Sequence, residues 1–152
     1  MSEPKSTSRR PSGRAPTRAR GQADVLLAIA VGGALGAPAR YEIAQLVPIT
    51  PGTFPWATFW TNISGAFVLA IFLTILIERL PPTRFLRPFF GIGFLGAYTT
   101  FSTLAVETAK LVKDGDVALG VGYTLASITI GLLFAYLGIV SGRALVGEQT
   151  RL

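Results

Sequence analysis

Cysteine and histidine are both absent from this 152-residue sequence. The first absence excludes disulfides and cysteine metal sites, and the second removes the commonest general base and metal-binding side chain. Charged residues make up only 14% of the chain and hydrophobic residues 50%, whereas soluble domains carry roughly 25% charged residues. The sequence also lacks a nucleotide-binding glycine loop. The composition therefore favours a membrane protein, and we expect it not to be an enzyme.

Carboxylates are also scarce, with eight in the whole chain. None lies near the centre of an apolar run, and Glu42, Glu78 and Glu107 all lie near the end of one. Proton-coupled transport of cations normally uses an acid within the membrane. A small proton-coupled exporter would need such an acid in its first helix, where residues 25–39 contain none. This distribution favours passive conduction of an anion, and an assembly subunit without transport activity is the remaining alternative.

Four apolar runs are each long enough to cross a bilayer, which takes about 20 residues. They cover approximately residues 25–46, 54–77, 85–111 and 117–142. Short polar or proline-rich segments join them, so residues 24–144 are predicted to form one four-helix transmembrane domain. Residues 145–152 are predicted to form a short C-terminal tail. The expected fold class is an all-α, multi-pass protein of the cell membrane.

Residues 1–23 differ from the rest of the chain, because they are rich in Ser, Pro, Arg and Gly and hold six basic residues against one acidic residue. Such a segment buries no core, and we expect it to be disordered. Eleven of the 14 Lys and Arg residues lie on the side of this tail, which predicts that both termini are cytoplasmic. A basic tail can bind nucleic acid. The simpler interpretation is contact with the lipid bilayer, and we expect no nucleic-acid partner.

The first apolar run has a glycine pair and, near its end, a cation. Gly32 and Gly36 lie four residues apart on one helical face, which predicts close approach of a neighbouring helix. Arg40 either extends to the lipid headgroups or forms an electropositive vestibule that attracts an anion.

Polar side chains also interrupt the second and fourth runs. Asn62 lies among aromatic residues near the middle of the second run, where an unpaired amide is costly. It either makes an interhelical hydrogen bond or presents its NH₂ group to a pore. Tyr123 and Ser127 share one face of the fourth helix, which suits an anion path. Hydroxyls in such helices also often bond to the carbonyl four residues earlier.

The third run contains the least usual segment, residues 93–103, in which glycines and hydroxyls interrupt an apolar stretch. Irregular backbone at membrane depth is tolerated only when it is buried in protein or lines a cavity. A helix break between Gly96 and Thr99 would free carbonyls that can bind Na⁺. The positive edge of the Phe101 ring can solvate an anion, although an ordinary core position is the simpler interpretation. The hydroxyls of the segment belong to Thr99, Thr100, Ser102 and Thr103.

Together these blocks resemble the Fluc (CrcB) fluoride channels over about residues 24–144. The most specific signature is Gly-Phe-Leu-Gly at residues 93–96 followed by Thr-Thr-Phe-Ser-Thr at residues 99–103. The Gly32–Tyr41 block and the Asn62–Phe67 block are weaker but fall in the expected order. The resemblance implies a channel that exports fluoride passively and relieves its toxicity.

The resemblance further implies an antiparallel, dual-topology dimer with two fluoride pores and one structural, non-transported Na⁺ at its centre. The dimer would be a homodimer or a heterodimer with a related, oppositely oriented subunit. The implied Na⁺ ligands are the carbonyls of Gly96 and Thr99, and the implied vestibule residue is Arg40. The pore residues expected from the resemblance and from the hydroxyl pattern are Asn62, Phe101, Ser102, Thr103, Tyr123 and Ser127.

The sequence departs from the family pattern at several points. Leu104 stands where the family often has a second phenylalanine, so one aromatic edge is missing. Gly131 stands where a third hydroxyl of the fourth helix would be expected. The basic tail resists insertion in two orientations, which leads to the hypothesis that the chain inserts mainly with its N-terminus inside and pairs with a related partner.

Overall fold

The computed structural model describes residues 16–48, 50–79 and 83–148. Within these ranges the chain is helical and contains no strand. The helices are α1 (Pro16–Leu46), α2 (Trp56–Arg79), a π-helix (Arg87–Leu95), α3 (Gly96–Tyr98), α4 (Phe101–Lys113) and α5 (Val117–Glu148). Four stretches are long and apolar enough to cross a membrane, namely Gly21–Leu46, Trp56–Arg79, Arg87–Lys113 and Val117–Gly147. The predicted all-α class and the four predicted spans are confirmed.

Both terminal helices extend further than predicted. Helix α1 begins at Pro16, so residues 16–23 of the predicted tail are helical, and a proline is well suited to the first helical position because no N–H is needed there. Residues 1–15, on which the prediction of disorder also falls, lie outside the described residues. Helix α5 continues to Glu148, so half of the predicted C-terminal tail is helical, and residues 149–152 lie outside the described residues.

Helix α1 packs mainly on the π-helix, and glycines make this contact close. A Cβ atom on Gly32 would overlap the carbonyl oxygen of Phe89, and one on Gly36 would overlap that of Phe94. From the opposite side, a Cβ on Gly93 would collide with the carbonyl of Ile29. The close approach predicted from the spacing of Gly32 and Gly36 is therefore confirmed, and both backbones lie in direct contact.

Helix α2 packs mainly on α5, and α4 packs against the same helix. A Cβ on Gly142 would lie 2.8 Å from the Cβ of Thr74, so this interface is also close. The buried core formed by these three helices consists of Phe59, Ile63, Leu104, Leu111 and Tyr123.

The third span contains two residues with extended backbone. Helix α3 ends at Tyr98 and α4 begins at Phe101. Between them, Thr99 has φ −81° and ψ 158°, and Thr100 has φ −150° and ψ 120°. The Thr100 hydroxyl oxygen then accepts a hydrogen bond from the N–H of Thr103 at 3.1 Å, which caps the start of α4. This non-helical pair places polar backbone groups within the bundle.

The glycine contact between α1 and the π-helix predicts the effect of adding a single methyl group. Gly36→Ala should lower the thermal midpoint of the detergent-solubilised protein, because overpacking of this kind costs about 1–3 kcal/mol. The matched control is Gly122→Ala on α5, where an added Cβ meets nothing within 4 Å. That control should be neutral or slightly stabilising, since alanine favours helix over glycine. Equal midpoints for the two variants would contradict the packing account.

Candidate functional site

Asn62 pairs with the backbone of Thr100 at two points. Its Nδ2 donates to the Thr100 carbonyl oxygen at 3.0 Å, and its Oδ1 accepts from the Thr100 N–H at 2.8 Å. Of the two interpretations of Asn62 left open above, the interhelical hydrogen bond is therefore present. The NH₂ group carries two hydrogens, so one N–H remains beyond this pairing. The Asn62 side chain thus holds Thr100 of the third span against α2, and its second N–H takes no part in this pairing.

The extended backbone at Thr99 and Thr100 changes the hydrogen bonding of two carbonyls. In a continuous helix the Thr100 N–H would donate to the Gly96 carbonyl, four residues earlier, but here it donates to Asn62. In a continuous helix the Thr103 N–H would likewise donate to the Thr99 carbonyl, but here it donates to the Thr100 hydroxyl oxygen. Both carbonyls lose their usual helical donor, and carbonyls freed in this way are suitable ligands for Na⁺. Gly96 and Thr99 therefore fit the cation predicted for them.

A cavity of about 250 Å³ lies beside this interruption and is called here the Asn62 cavity. It brings together three of the predicted pore residues, one each from α2, α4 and α5. The lining residues are Asn62, Thr99, Thr100, Phe101, Leu104, Ser127 and Ile128. The cavity therefore combines an amide, a hydroxyl and an aromatic ring without a formal charge.

Ser127 stands out within this cavity because its hydroxyl is not satisfied by the protein. The residue is 6% exposed, and its Oγ is the single buried side-chain polar atom of the described residues without a hydrogen-bond partner. The bond to the carbonyl four residues earlier, which is common for such hydroxyls, is not made. Buried polar groups are nearly always paired, so this hydroxyl keeps a hydrogen-bonding capacity that no protein group uses.

The two apolar residues of α4 in the Asn62 cavity differ in burial. Phe101 is 79% exposed, so this chain leaves most of its surface uncovered. Leu104 is 6% exposed and belongs to the hydrophobic core. Leu104, where the resemblance led us to expect a second phenylalanine, therefore lines the cavity and also packs in the core.

A second cavity, of about 180 Å³, contains two further predicted residues and is called here the Arg40 cavity. Arg40 and Thr103 both line it, and Thr100 lines both cavities. Tyr41, Thr58 and Thr61 also line it. Arg40 is partly buried. Most of the predicted site residues thus line one of two cavities that share Thr100.

Two predicted pore residues line neither of these cavities. Ser102 is exposed, and its Oγ lies 3.2 Å from the Thr100 Oγ1. Tyr123 is completely buried, and its hydroxyl donates to a carboxylate oxygen of Glu107 at 2.6 Å. Although Tyr123 and Ser127 lie one helical turn apart, their hydroxyls therefore face different surroundings.

Glu107 is the polar residue that the sequence analysis did not place in the site. It is 8% exposed, and its carboxylate accepts hydrogen bonds from Tyr123 and from the Thr58 hydroxyl at 2.8 Å. The signal for its burial was present in the spacing, because Leu104, Glu107 and Leu111 lie on one face of α4. Its position near the end of the apolar run, by contrast, gave no indication of this burial.

Comparison with known proteins agrees with the geometry. The family described as CrcB-like protein, Camphor Resistance (CrcB), matches residues 27–139. The chain is 44% identical over 135 residues to "Fluoride-specific ion channel FluC 3" of Streptomyces avermitilis, which covers 89% of this chain and 66% of that protein. It is 46% identical over 112 residues to "Fluoride-specific ion channel FluC 1" of Mycolicibacterium paratuberculosis, covering 74% of this chain and 85% of that protein.

These relatives are named as ion channels and not as enzymes, which confirms the expectation that the chain is not an enzyme. The family match also runs through all four membrane-spanning stretches. The chain therefore belongs to the CrcB (Fluc) family of multi-pass membrane proteins.

Proposed function

We propose that this chain is a subunit of a fluoride-specific ion channel that passively exports fluoride from the cytoplasm and so relieves its toxicity. The observation that carries the proposal is the unpaired, buried hydroxyl of Ser127 in the Asn62 cavity. The names of the relatives support fluoride as the permeant ion. Fluoride enters cells as neutral HF and ionises inside, so the membrane potential drives the anion outward through a passive path.

The Asn62 cavity offers the donors that such a path needs. Fluoride is small and tightly hydrated, so a pore must replace its water with hydrogen-bond donors. The remaining N–H of Asn62 and the hydroxyl of Ser127 are neutral donors, and the ring edge of Phe101 adds a positive partial charge. Binding must be strong enough for entry and weak enough for exit. Neutral groups meet that requirement better than a buried cation would.

The Arg40 cavity serves as the proposed vestibule. The guanidinium of Arg40 raises the local concentration of anions at its mouth, and Thr103 adds a hydroxyl to the same wall. Ser102 and Tyr123 complete the proposed set of pore hydroxyls. The hydroxyl of Tyr123 already donates to Glu107, so an anion can bind there only when that hydrogen bond opens.

The proposal includes one structural, non-transported Na⁺ at the centre of a dimer. Its ligands in this chain would be the Gly96 and Thr99 carbonyls, whose usual donors are diverted to Asn62 and Thr100. When bound, Na⁺ supplies a fixed positive charge between oxygen dipoles. Two carbonyls are few for an ion without its water, so a second subunit related by a two-fold axis would supply the others. The exposure of Phe101 beside this segment supports such a partner.

The two subunits are proposed to be antiparallel, and the charge distribution bears on their identity. Outside residues 1–23, five Lys or Arg residues lie on the predicted cytoplasmic side and three on the other, so the bundle itself favours neither orientation strongly. The basic tail supplies most of the bias and favours cytoplasmic termini. We therefore propose a heterodimer with a related, oppositely oriented subunit, and the alternative is a homodimer.

Asn62→Asp should abolish fluoride conduction. The carboxylate can still accept from the Thr100 N–H, but it offers no donor and repels the anion. Efflux from fluoride-loaded liposomes that contain the chain together with the partner subunit that gives a conducting channel, followed with a fluoride electrode, measures the effect. The control is Gln45→Glu, which makes the same amide-to-carboxylate change on an exposed side chain of α1. Efflux from Asn62→Asp at the parent rate would refute the pore assignment of Asn62.

Ser127→Ala should slow fluoride efflux at least several-fold while leaving the thermal midpoint unchanged, because its hydroxyl has no protein partner to lose. The matched control is Thr124→Val on the same helix, whose hydroxyl bonds to Thr108 and to the Gly120 carbonyl. That control should lower the midpoint, since it leaves partners unpaired, and it should spare conduction. A lower midpoint with normal efflux for Ser127→Ala would show that the hydroxyl is structural.

Expression of this chain alone should give little fluoride efflux if a related partner is required. The experiment compares efflux from liposomes that contain the purified full-length chain with efflux after co-expression of a related subunit of opposite charge bias. Removal of residues 1–15 should increase activity of the single chain, because the orientation bias falls. Full activity of the intact chain alone would establish a homodimer and contradict the heterodimer proposal.

A further inference from the structure

Tyr98 connects the third span to α2 through a hydrogen bond outside both cavities. It is the last residue of α3 and directly precedes Thr99. Its hydroxyl oxygen lies 2.9 Å from the Oγ of Ser64. Ser64 donates its own proton to the Trp60 carbonyl at 2.7 Å. Tyr98 therefore donates in this contact and Ser64 accepts.

The ring of Tyr98 is fixed on two further sides. Gly65 provides the space beside it, because a Cβ at Gly65 would lie 3.2 Å from the Cδ1 of Tyr98 and would overlap the side chain of Thr99. The ring also stacks on Phe94, with an interplanar angle of 5° and a centroid distance of 6.2 Å. These contacts hold the Tyr98 side chain in place next to the extended residues Thr99 and Thr100.

Regular helix ends directly at this contact. Helix α3 continues the π-helix without a break, and the Thr99 N–H still donates to the Leu95 carbonyl at 3.0 Å, whereas the backbone of Thr99 and Thr100 is extended. Thr100 is held on one side by Asn62, and Tyr98 is held on the other by Ser64. Helix α2 therefore makes hydrogen bonds to the residue before Thr99 and to the residue after it. The direction of the Thr99 carbonyl depends on both contacts.

We infer that the hydrogen bond from Tyr98 to Ser64 positions the Gly96 and Thr99 carbonyls for the structural cation. Tyr98 and Ser64 are then positioning residues of that site, and they touch neither the cation nor the anion. The inference rests on the proposed function. Neither residue lines the Asn62 cavity or the Arg40 cavity. Loss of the bond should therefore weaken the affinity for Na⁺ and leave the anion donors in place.

The test measures Na⁺ affinity separately from fluoride conduction. Thermal unfolding is measured on the purified dimer of the full-length chain with the partner subunit that completes the conducting channel, and this dimer is the parent of the variants. The dimer is titrated with NaCl, with N-methylglucamine chloride holding the ionic strength constant. A ligand that binds the folded state raises its stability with concentration, so the titration gives a half-maximal Na⁺ concentration. Tyr98→Phe should raise this concentration about five-fold, the effect of one neutral hydrogen bond. Fluoride efflux at saturating Na⁺ should stay near the parent rate.

Three further variants separate the hydrogen bond from general damage. Ser64→Ala should give the same shift, and the double variant should shift no further, because both changes remove one shared bond. Tyr136→Phe is the control, since it removes a hydroxyl from an exposed tyrosine of α5 and should leave the Na⁺ titration unchanged. Ser64→Ala also keeps the inference testable if Tyr98→Phe fails to fold.

The outcomes distinguish this inference from the proposed function. If Na⁺ stabilises the parent and the half-maximal concentration is the same in Tyr98→Phe and Ser64→Ala, the positioning role is wrong and the cation site stands. If Na⁺ does not stabilise the parent, both the cation site and the positioning role are wrong. Fluoride efflux from the parent decides the channel function independently of either result.

Discussion

The two-point pairing of Asn62 with Thr100 is the interaction on which the site depends. Thr100 has an extended backbone in the middle of a membrane-spanning stretch, where each unsatisfied backbone group costs several kcal/mol. The Asn62 amide satisfies both of its backbone groups with one side chain. By taking the Thr100 N–H, it also frees the Gly96 carbonyl. Asn62 therefore stabilises the extended backbone and frees the Gly96 carbonyl, while the Thr100 hydroxyl, which accepts from the Thr103 N–H, frees the Thr99 carbonyl.

The packing around this pairing depends on small residues. Gly32 and Gly36 let the π-helix lie directly against α1, and Gly65 lets Thr99 and Tyr98 lie directly against α2. A side chain at Gly32 or Gly36 would push the third span away from α1, and a side chain at Gly65 would push it away from α2. Because packed interiors respond to changes of a single methylene, the geometry of the freed carbonyls depends on these glycines as well as on hydrogen bonds.

Two buried polar residues of the bundle differ in whether their hydrogen-bonding groups have partners. The carboxylate of Glu107 accepts from Tyr123 and Thr58, so its burial is compensated. The hydroxyl of Ser127, one turn from Tyr123 on the same helix, has no partner. A satisfied group contributes to stability, whereas an unsatisfied one costs free energy unless a ligand pairs with it. This contrast is the physical reason for assigning Ser127 to a binding role.

The sequence alone determined the four spans, the close glycine face of α1 and the family, because apolar length, helical spacing and a contiguous motif are local properties. It also identified Asn62, Phe101 and Ser127, which the fold brings into one cavity. It did not determine that Asn62 would bond to Thr100, that Arg40 and Thr103 would share a different cavity, or that Glu107 would be buried. Periodicity shows which residues share a face of a helix but not which helix that face meets. Only the tertiary structure decides those partners, since they depend on contacts between residues as far apart as Asn62 and Thr100.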